Sequence, residues 1–200
     1  MWTQDLVKAN NRKGFTLVEI LIVLGIMGAI IALGLGRIRK KDNDIKKVAR
    51  EFYILGKEVR NKARLKNSTF RIVLQLGDGD KKYWLESAQG FQGRVDAEEI
   101  AKLREEDRPP ELFQKDDSLF KTEKKLPDGL WFKSLESVDQ DTKTSGTGYI
   151  YFYANGFVEA SALQITDKKR INWTIIYHPL TGQADIIPEE KNLKDAQQKQ

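Results

Sequence analysis

The sequence predicts an α+β protein in which a long N-terminal helix packs on an antiparallel β-sheet. Two observations support this fold class: no proline interrupts residues 15–67, and several short strand patterns, separated by turn residues, follow that stretch. A helical stretch followed by a run of strands is typical of α+β proteins. The 200 residues have room for one membrane-length segment and one domain, and nothing in the sequence indicates a second domain.

The first half of the predicted helix is an apolar run from Phe15 to Gly36. As a helix this run rises about 33 Å, enough to cross a hydrocarbon core of about 30 Å. Glu19 is its only ionisable side chain, and a charge at that depth costs about 2.5–3.5 kcal/mol on insertion. We therefore predict that residues 15–36 span a membrane and that Glu19 has a function. The alternative is a signal anchor whose Glu19 side chain reaches back to the near interface.

The second half of the predicted helix is amphipathic. Apolar residues recur on one face at steps of three and four, at positions Ile45, Val48, Phe52, Leu55, Val59 and Ala63. Together the two halves make a helix of about 50 residues. Its first half is apolar on all sides, and its second half has a single apolar face. The apolar stripe requires a sheet to cover it.

The strand patterns begin directly after the helix. Apolar residues alternate from Phe70 to Leu76, and the sequence Gly77-Asp78-Gly79-Asp80 then predicts the turn of a hairpin. Further strands are predicted at residues 130–135, 149–153, 157–165, 171–177 and 183–187. The polar tail, residues 188–200, lacks strand and turn signals, and we expect it to fray.

A highly charged stretch at residues 91–125 interrupts the strand patterns and has the character of an insertion. Within it, residues 96–106 predict a short helix that ends before Pro109 and Pro110. The insertion is either a mobile, solvated loop or a docking arm specific to this protein, since exposed loops on a rigid scaffold commonly carry recognition.

Composition excludes several classes of function. The chain has no cysteine, and hence neither a disulfide framework nor a thiolate metal site, and its formal charge of +5 does not by itself indicate nucleic-acid binding. No Gly-rich phosphate loop, nucleophile elbow or distinct acid/base pair is present. We therefore predict no catalytic residue, no metal, no cofactor and no nucleic-acid partner.

Three tyrosines, Tyr149, Tyr151 and Tyr153, share one face of a predicted strand. Such a row could stack a glycan or single-stranded nucleic acid. We favour packing within a half-buried strand instead.

His178 and two pairs of aspartates are the remaining candidates for site residues. His178 has no second histidine near it, so we predict a turn residue before Pro179 rather than a metal ligand. Asp78 with Asp80, and Asp139 with Asp141, could offer oxygens to calcium. Neither pair has the ligand number of a dedicated site, which favours solvated turns.

The segment Lys13-Gly14-Phe15-Thr16-Leu17-Val18-Glu19, with the apolar run behind it, closely resembles the class III signal of type IV pilins and type II secretion pseudopilins. In that family a membrane peptidase cuts after the glycine and methylates the new amino terminus. The resemblance implies that residues 1–14 are a cleaved basic leader, that cleavage falls between Gly14 and Phe15, and that Phe15 becomes N-methylated. It also implies that Glu19 of one subunit offsets the charged amine of Phe15 on its neighbour during assembly.

Within this family the chain most resembles the H-type minor pseudopilins of type II secretion. The supporting residues are the helix end at 59–64 and the turns at 153–156 and 179–183, which precede strands. The resemblance implies a non-enzymatic subunit of the pseudopilus that takes part in tip assembly and protein export. The implied partners are other pseudopilins, the prepilin peptidase, the inner-membrane assembly platform and membrane lipid.

The resemblance also implies an orientation, a single pass through the inner membrane with residues 37–187 in the periplasm. A cluster of basic residues between Arg37 and Arg50 conflicts with this, because the positive-inside rule alone would keep the following domain in the cytoplasm. We give precedence to the signal, since its cleavage site must be cytoplasmic and large domains translocate with limited regard to charge. The cluster then lies against lipid head groups, against acidic neighbours, or in solvent.

Three other functions stay open at this point. The first is a minor type IV pilin that serves adhesion, motility or DNA uptake. The second is a membrane-tethered binding module that uses the tyrosine row, and the third is a tethered hydrolase.

Overall fold

The computed structural model describes residues 15–93, 112–120, 123–138 and 141–197, with the side chains of residues 33–42 and 196–197 left aside. Two calls on local structure lie outside this range, the leader that ends at Gly14 and the short helix at 96–106. The chain divides into two compact units, residues 1–40 and 41–200. Each unit is described by itself.

The long helix is confirmed. Helix α1 runs over Leu17–Lys66, 50 residues, and Asn67 ends it by adopting the left-handed conformation (φ 47°) that asparagine tolerates at helix C-termini. Strand β1 follows at once, so that Asn67 is the whole connection between helix and sheet.

In the described part of the chain, nine strands follow the helix and form two antiparallel sheets. Their bounds are β1 Ser68–Leu76, β2 Lys82–Gln89, β3 Gln114–Lys115, β4 Lys124–Lys125, β5 Trp131–Ser137, β6 Gly146–Phe152, β7 Ser161–Thr166, β8 Asn172–Tyr177 and β9 Ala184–Ile187. The first sheet has the order β3-β2-β1-β6, with β4 also paired to β2, and the second has the order β5-β7-β8-β9. The α+β class is confirmed, and the strands divide between two sheets where the sequence predicts one.

One predicted strand, 157–165, begins too early. In the structure β7 starts at Ser161, and the preceding residues pair with β6 instead: Phe157 accepts a hydrogen bond from Tyr153 N (2.8 Å), and Glu159 N donates to Tyr151 O (2.8 Å). The first part of the predicted strand therefore meets the end of β6 in an isolated bridge, Val158 with Phe152, and the second part is β7 of the second sheet.

Helix α1 covers the inner faces of both sheets. All six residues of its predicted stripe, from Ile45 to Ala63, are buried. The ring of Phe52 lies 4.9 Å from that of Tyr83 in the first sheet and 5.8 Å from that of Phe132 in the second. One hydrophobic core thus joins the helix to both sheets.

The described part of the insertion is built into the first sheet. Strands β3 and β4 pair with the two ends of β2, and Phe113 is 5% exposed against the outer face of the sheet. The loop interpretation is therefore wrong for residues 114–115 and 124–125, which pair with β2 although their side chains are exposed. A strand of two residues has no readable alternation, and this is why the sequence does not predict either strand.

The polar tail packs on the second sheet, and the expectation that it frays is wrong for residues 188–197. A short helix α2, Leu193–Gln197, buries Leu193 against Ala162 and Ile176 on the outer face of the sheet. Thr174 anchors the approach to this helix, because its hydroxyl donates to Glu189 O (2.8 Å) and accepts from Lys191 N (3.0 Å). The tail thus serves as a cover for the second sheet.

Candidate functional site

The N-terminal candidate residues lie at the capped start of helix α1. Thr16 is the N-cap, since its hydroxyl accepts a hydrogen bond from Glu19 N (3.2 Å) and its carbonyl accepts one from Ile20 N (3.2 Å). Glu19 is exposed in the first turn, and Phe15 is 80% exposed just ahead of the cap. Gly14, the other predicted processing residue, lies outside the described residues.

Thr16 is a site residue that the sequence analysis passes over. The spacing Thr-x-x-Glu is that of a capping box, in which the N-cap hydroxyl accepts from the backbone of the third helical residue. The signal was therefore available in the sequence. It gives Glu19 a local structural position in addition to its predicted role in assembly.

The helix behind Glu19 presents apolar side chains on all sides. Exposure ranges from 50% at Val23 to 75% at Leu17, and the set comprises Leu17, Val18, Ile20, Leu21, Ile22, Val23, Leu24, Ile26, Met27, Ile30 and Ile31. Apolar surface of this extent on a folded chain marks a region of contact with protein or lipid.

Within the part of the chain that the structure describes, no helix combines the length and the apolarity that crossing a membrane requires. The membrane-spanning segment 15–36 stays a prediction.

A buried ion pair lies on the outer face of the first sheet. Arg71 on β1 stands directly opposite Glu86 on β2, and Arg71 Nη2 lies 2.6 Å from Glu86 Oε2, with side-chain exposures of 10% and 15%. The guanidinium carbon lies over two rings, 4.0 Å from the centroid of Phe113 and 4.3 Å from that of Tyr149. Burial alone would lower the pKa of Arg71, but the Tyr151 hydroxyl and the Glu86 charge outweigh it and raise this pKa.

The tyrosine row packs as a half-buried strand, as predicted. Tyr151 is 1% exposed, and Phe113 meets its ring edge-on at 5.8 Å. Phe91 stacks on Tyr153 at 5.2 Å. Phe91 at the start of the insertion and Phe113 within it thus cover the rings of Tyr153 and Tyr151, so the chain itself occupies this part of the face that would stack a sugar or a base.

The other polar candidates have partners within the chain. His178 is a turn residue, as predicted, and its Nε2 lies 2.9 Å from Asp185 Oδ2. Asp78 pairs with Lys168, and Asp80 Oδ2 lies 2.8 Å from Lys82 Nζ.

Lys82 also lowers the pKa of the Asp80 carboxyl. Asp139 lies outside the described residues. Among those that the structure does describe, no group of three or more His, Cys, Asp or Glu side chains is placed to hold a metal ion.

The N-terminal residues of the chain also match a known family model. Residues 9–35 match the family model of the prokaryotic N-terminal methylation motif, a range that includes Gly14, Phe15 and Glu19. The chain carries this motif. A comparison with curated proteins gives no match.

The fold is similar to that of a minor pseudopilin. A structure of the minor pseudopilin EpsH from the Type 2 Secretion System of Vibrio cholerae matches with a TM-score of 0.52 and 14% identity, over 74% of this chain and 99% of that one. A crystal structure of the same pseudopilin matches with a TM-score of 0.51 and 14% identity, over 75% and 98%. The pilin-like, pseudopilin fold is thereby confirmed.

Proposed function

We propose that this protein is a minor pseudopilin, a structural subunit of a type II secretion pseudopilus that takes part in tip assembly and protein export. The observation that carries the proposal is the presence, in one chain, of the N-terminal methylation motif at residues 9–35 and a minor-pseudopilin fold behind it. The buried or paired state of the described polar candidates supports a structural role rather than an enzymatic one.

Processing creates the charge that assembly uses. Cleavage between Gly14 and Phe15 leaves an amine one residue ahead of the Thr16 cap, where the partial positive charge of the helix N-terminus opposes it. A carboxylate is the natural partner for that amine, and Glu19 of a neighbouring subunit supplies one. In an apolar bundle each charge offsets part of the desolvation cost of the other.

In this proposal the exposed apolar part of helix α1 lies first in lipid and later in the filament. Residues 15–36 first cross the inner membrane in a single pass, with the domain in the periplasm, and then join the core of the filament. The partners are the prepilin peptidase, the inner-membrane assembly platform, membrane lipid and other pseudopilins. Lipid tails and neighbouring helices are both apolar enough to accept this surface.

Mass spectrometry of the amino terminus tests the processing step. Protein purified from membranes of cells that contain the peptidase should begin at Phe15 and carry one added methyl group. The variant Gly14→Val should retain the full sequence from Met1, because it places a bulky side chain at the cleavage position, where glycine has no Cβ to hinder the peptidase. Wild-type protein that still begins at Met1 would contradict the proposal.

Photo-crosslinking tests the assembly step. A crosslinker placed at Leu24 should capture other pseudopilins in membranes of cells that secrete through a type II system. A minor type IV pilin is the second candidate, because pilins carry the same signal. In that case the crosslinked partners would be pilus subunits, and deletion of the gene would leave protein secretion intact.

A further inference from the structure

Strand β3 lies against the outer edge of β2 in the way a bound peptide would. Lys115 stands opposite Glu86, and Gln114 stands opposite Ser87. The addition of a short extended segment to the edge of a sheet is a common mode of peptide recognition. We call residues 113–116 the edge segment. We call the residues that receive its side chains the seat, namely Lys66, Arg71, Ser87, Ala88 and Tyr151.

Phe113 is the apolar anchor of the edge segment. Its side chain is buried against Ala88 and Tyr151 on the outer face of the first sheet. The centroid of its ring lies 4.0 Å from the guanidinium carbon of Arg71, and the ring meets that of Tyr151 edge-on at 5.8 Å. One side chain of the edge segment thus fills a pocket whose walls belong to the sheet.

Asp116 is the polar anchor of the edge segment. Its Oδ2 accepts a hydrogen bond from Ser87 Oγ (3.2 Å) and lies 3.8 Å from Lys66 Nζ, and its backbone N donates to Leu85 O (2.9 Å). Side chains three positions apart in a strand point to opposite faces. The edge segment therefore straddles the edge of β2, with the ring of Phe113 on one side and the carboxylate of Asp116 on the other.

The floor of the seat is held together by the sheet itself. Arg71 Nε donates to Glu86 Oε2 (2.7 Å), and Arg71 Nη1 donates to the hydroxyl of Tyr151 (3.3 Å). The other oxygen of Glu86 accepts from Trp84 Nε1 (2.7 Å). These four residues belong to β1, β2 and β6, so we expect the floor to keep its shape when the edge segment leaves. A preorganised site of this kind loses little entropy on binding.

The edge segment itself is attached by few contacts. Its strand has two residues, both exposed, and Phe113 supplies its buried apolar side chain. The side chain of Lys66, which pairs with Asp116, is 52% exposed, and ion pairs in solvent contribute little. Another segment that makes the same contacts can therefore compete for the seat.

We infer that the seat is a peptide-binding site, filled by the edge segment in the free protein and taken over by a segment of another protein. The occupant is extended, pairs with the edge of β2 and carries an aromatic residue three positions ahead of a carboxylate. A second copy of this chain is the poorer candidate, because its edge segment gives up at home the same contacts that it makes on the neighbour. None of the contacts involves residues 15–40, so the inference does not depend on the proposed function.

Fluorescence anisotropy of a labelled peptide, residues 112–117 of this chain, tests the seat on the full chain in detergent micelles. Phe113→Ala with Asp116→Ala removes both anchors and empties the seat. Leu112→Ala with Asp117→Ala, at two exposed neighbours, leaves the edge segment in place. We expect the peptide to bind the emptied chain about tenfold more tightly than wild type, because a tethered segment competes at an effective concentration on the order of 1 mM. The second double variant should bind like wild type.

Altered peptides test whether the two anchors are read. A peptide with alanine in place of both Phe113 and Asp116 should not bind the emptied chain. In the emptied chain, Lys66→Ala should weaken binding of the intact peptide about two- to fivefold. It should leave unchanged the binding of a peptide in which only Asp116 is replaced.

A second measurement keeps both anchors of the edge segment in place. The chain has no cysteine, so Gln114→Cys places an environment-sensitive dye at one exposed position of the edge segment. Excess intact peptide should displace the segment and change the emission of the dye, whereas the peptide without anchors should not. This measurement also decides the matter if the emptied chain fails to fold.

Two results would overturn the inference. One is equal affinity of the wild-type and emptied chains for the intact peptide, and the other is a dye whose emission ignores saturating peptide. Dimers of the wild-type chain that the peptide dissociates would assign the seat to a second copy and overturn the choice of another protein.

Discussion

The phenol of Tyr177 donates a hydrogen bond to the carbonyl of Phe52 across 2.8 Å, in the buried interior of the domain. This bond joins β8 of the second sheet to helix α1. One turn further along the helix, Gly56 lies directly under the tyrosine ring, and a Cβ at this position would overlap a ring carbon of Tyr177. The close approach of helix and sheet therefore depends on both residues.

Gly56→Ala should destabilise the domain although alanine is the better helix former. The propensity gain is about 1 kcal/mol, whereas overpacking against a fully buried ring costs about 1–3 kcal/mol. We expect the free energy of unfolding to fall by up to about 2 kcal/mol in urea denaturation. Asn61→Ala, on the exposed side of α1, is the control and should change stability by less than about 0.5 kcal/mol. A Gly56→Ala protein more stable than wild type would contradict the predicted overlap.

Alkaline pH should unfold the domain through its buried tyrosines. Burial raises the pKa of Tyr177, and burial together with the Glu51 charge raises that of Tyr83, both above the ordinary value of 10.0. Above pH 10 the unfolded chain loses these protons while the folded chain keeps them, and stability therefore falls as pH rises. The double variant Tyr83→Phe, Tyr177→Phe should flatten this decline in thermal melts between pH 9 and 11. Tyr53→Phe, at an exposed position, should leave the slope unchanged.

Removal of Arg71 should leave the partly buried Glu86 carboxylate without its counter-charge, with the indole of Trp84 as its remaining hydrogen-bond donor (2.7 Å). Breaking such a pair from one side costs about 3–5 kcal/mol, whereas Lys191→Ala, which removes the partner of the exposed Glu189 carboxylate, should cost less than about 1 kcal/mol. Urea denaturation of Arg71→Ala measures the loss. The double variant Arg71→Leu, Glu86→Leu should recover most of it. Equal costs for Arg71→Ala and Lys191→Ala would contradict the burial of the pair.

Acid should weaken the attachment of the insertion to the first sheet. Glu123 has its pKa lowered from the ordinary value of 4.5 because Lys115 donates a hydrogen bond to it (3.2 Å) and Lys82 adds positive charge (3.4 Å). A lowered pKa in the folded state gives stability that is present above pH 4.5 and is lost as pH falls below it. Glu123→Gln should reduce the acid dependence of the unfolding midpoint between pH 5 and 3. Glu189→Gln is the control, and an identical effect of both variants would oppose this assignment.

Glu19→Ala should leave cleavage intact and weaken incorporation into the filament. The amine of Phe15 on a neighbouring subunit would lose its partner, at a cost of about 3–5 kcal/mol if it is buried. Glu19→Gln preserves the hydrogen-bonding role of a capping box but removes the charge, so it should behave like the alanine variant. Crosslinking yield to partner pseudopilins measures the effect, with Glu58→Ala as the control on the same helix. Normal yield for Glu19→Ala would refute the charge pairing.

The features predicted most accurately are those encoded locally. The stripe from Ile45 to Ala63 has a period that only a helix satisfies, and the structure buries all six of its residues. The N-terminal methylation motif was recognisable for the same reason, because its residues are adjacent in sequence.

The features that were missed depend on residues far apart in the chain. Arg71 meets Glu86 only in one hairpin register, and Phe113 reaches Arg71 only after the insertion folds back on the sheet. The polar tail similarly covers the second sheet only because Leu193 packs on the outer face of that sheet. The local periodicity of the sequence does not predict these three contacts. Each one depends on which apolar surface is still exposed after the rest of the chain has folded.

The attachment of helix α1 to both sheets has a mechanical consequence. A pulling force applied along the helix from its N-terminus would load the stripe from Ile45 to Ala63 in shear, over about 27 Å. These contacts lie side by side along the direction of the force, so they would have to break together and not one after another. The domain is thus built to be drawn by its helix without coming apart.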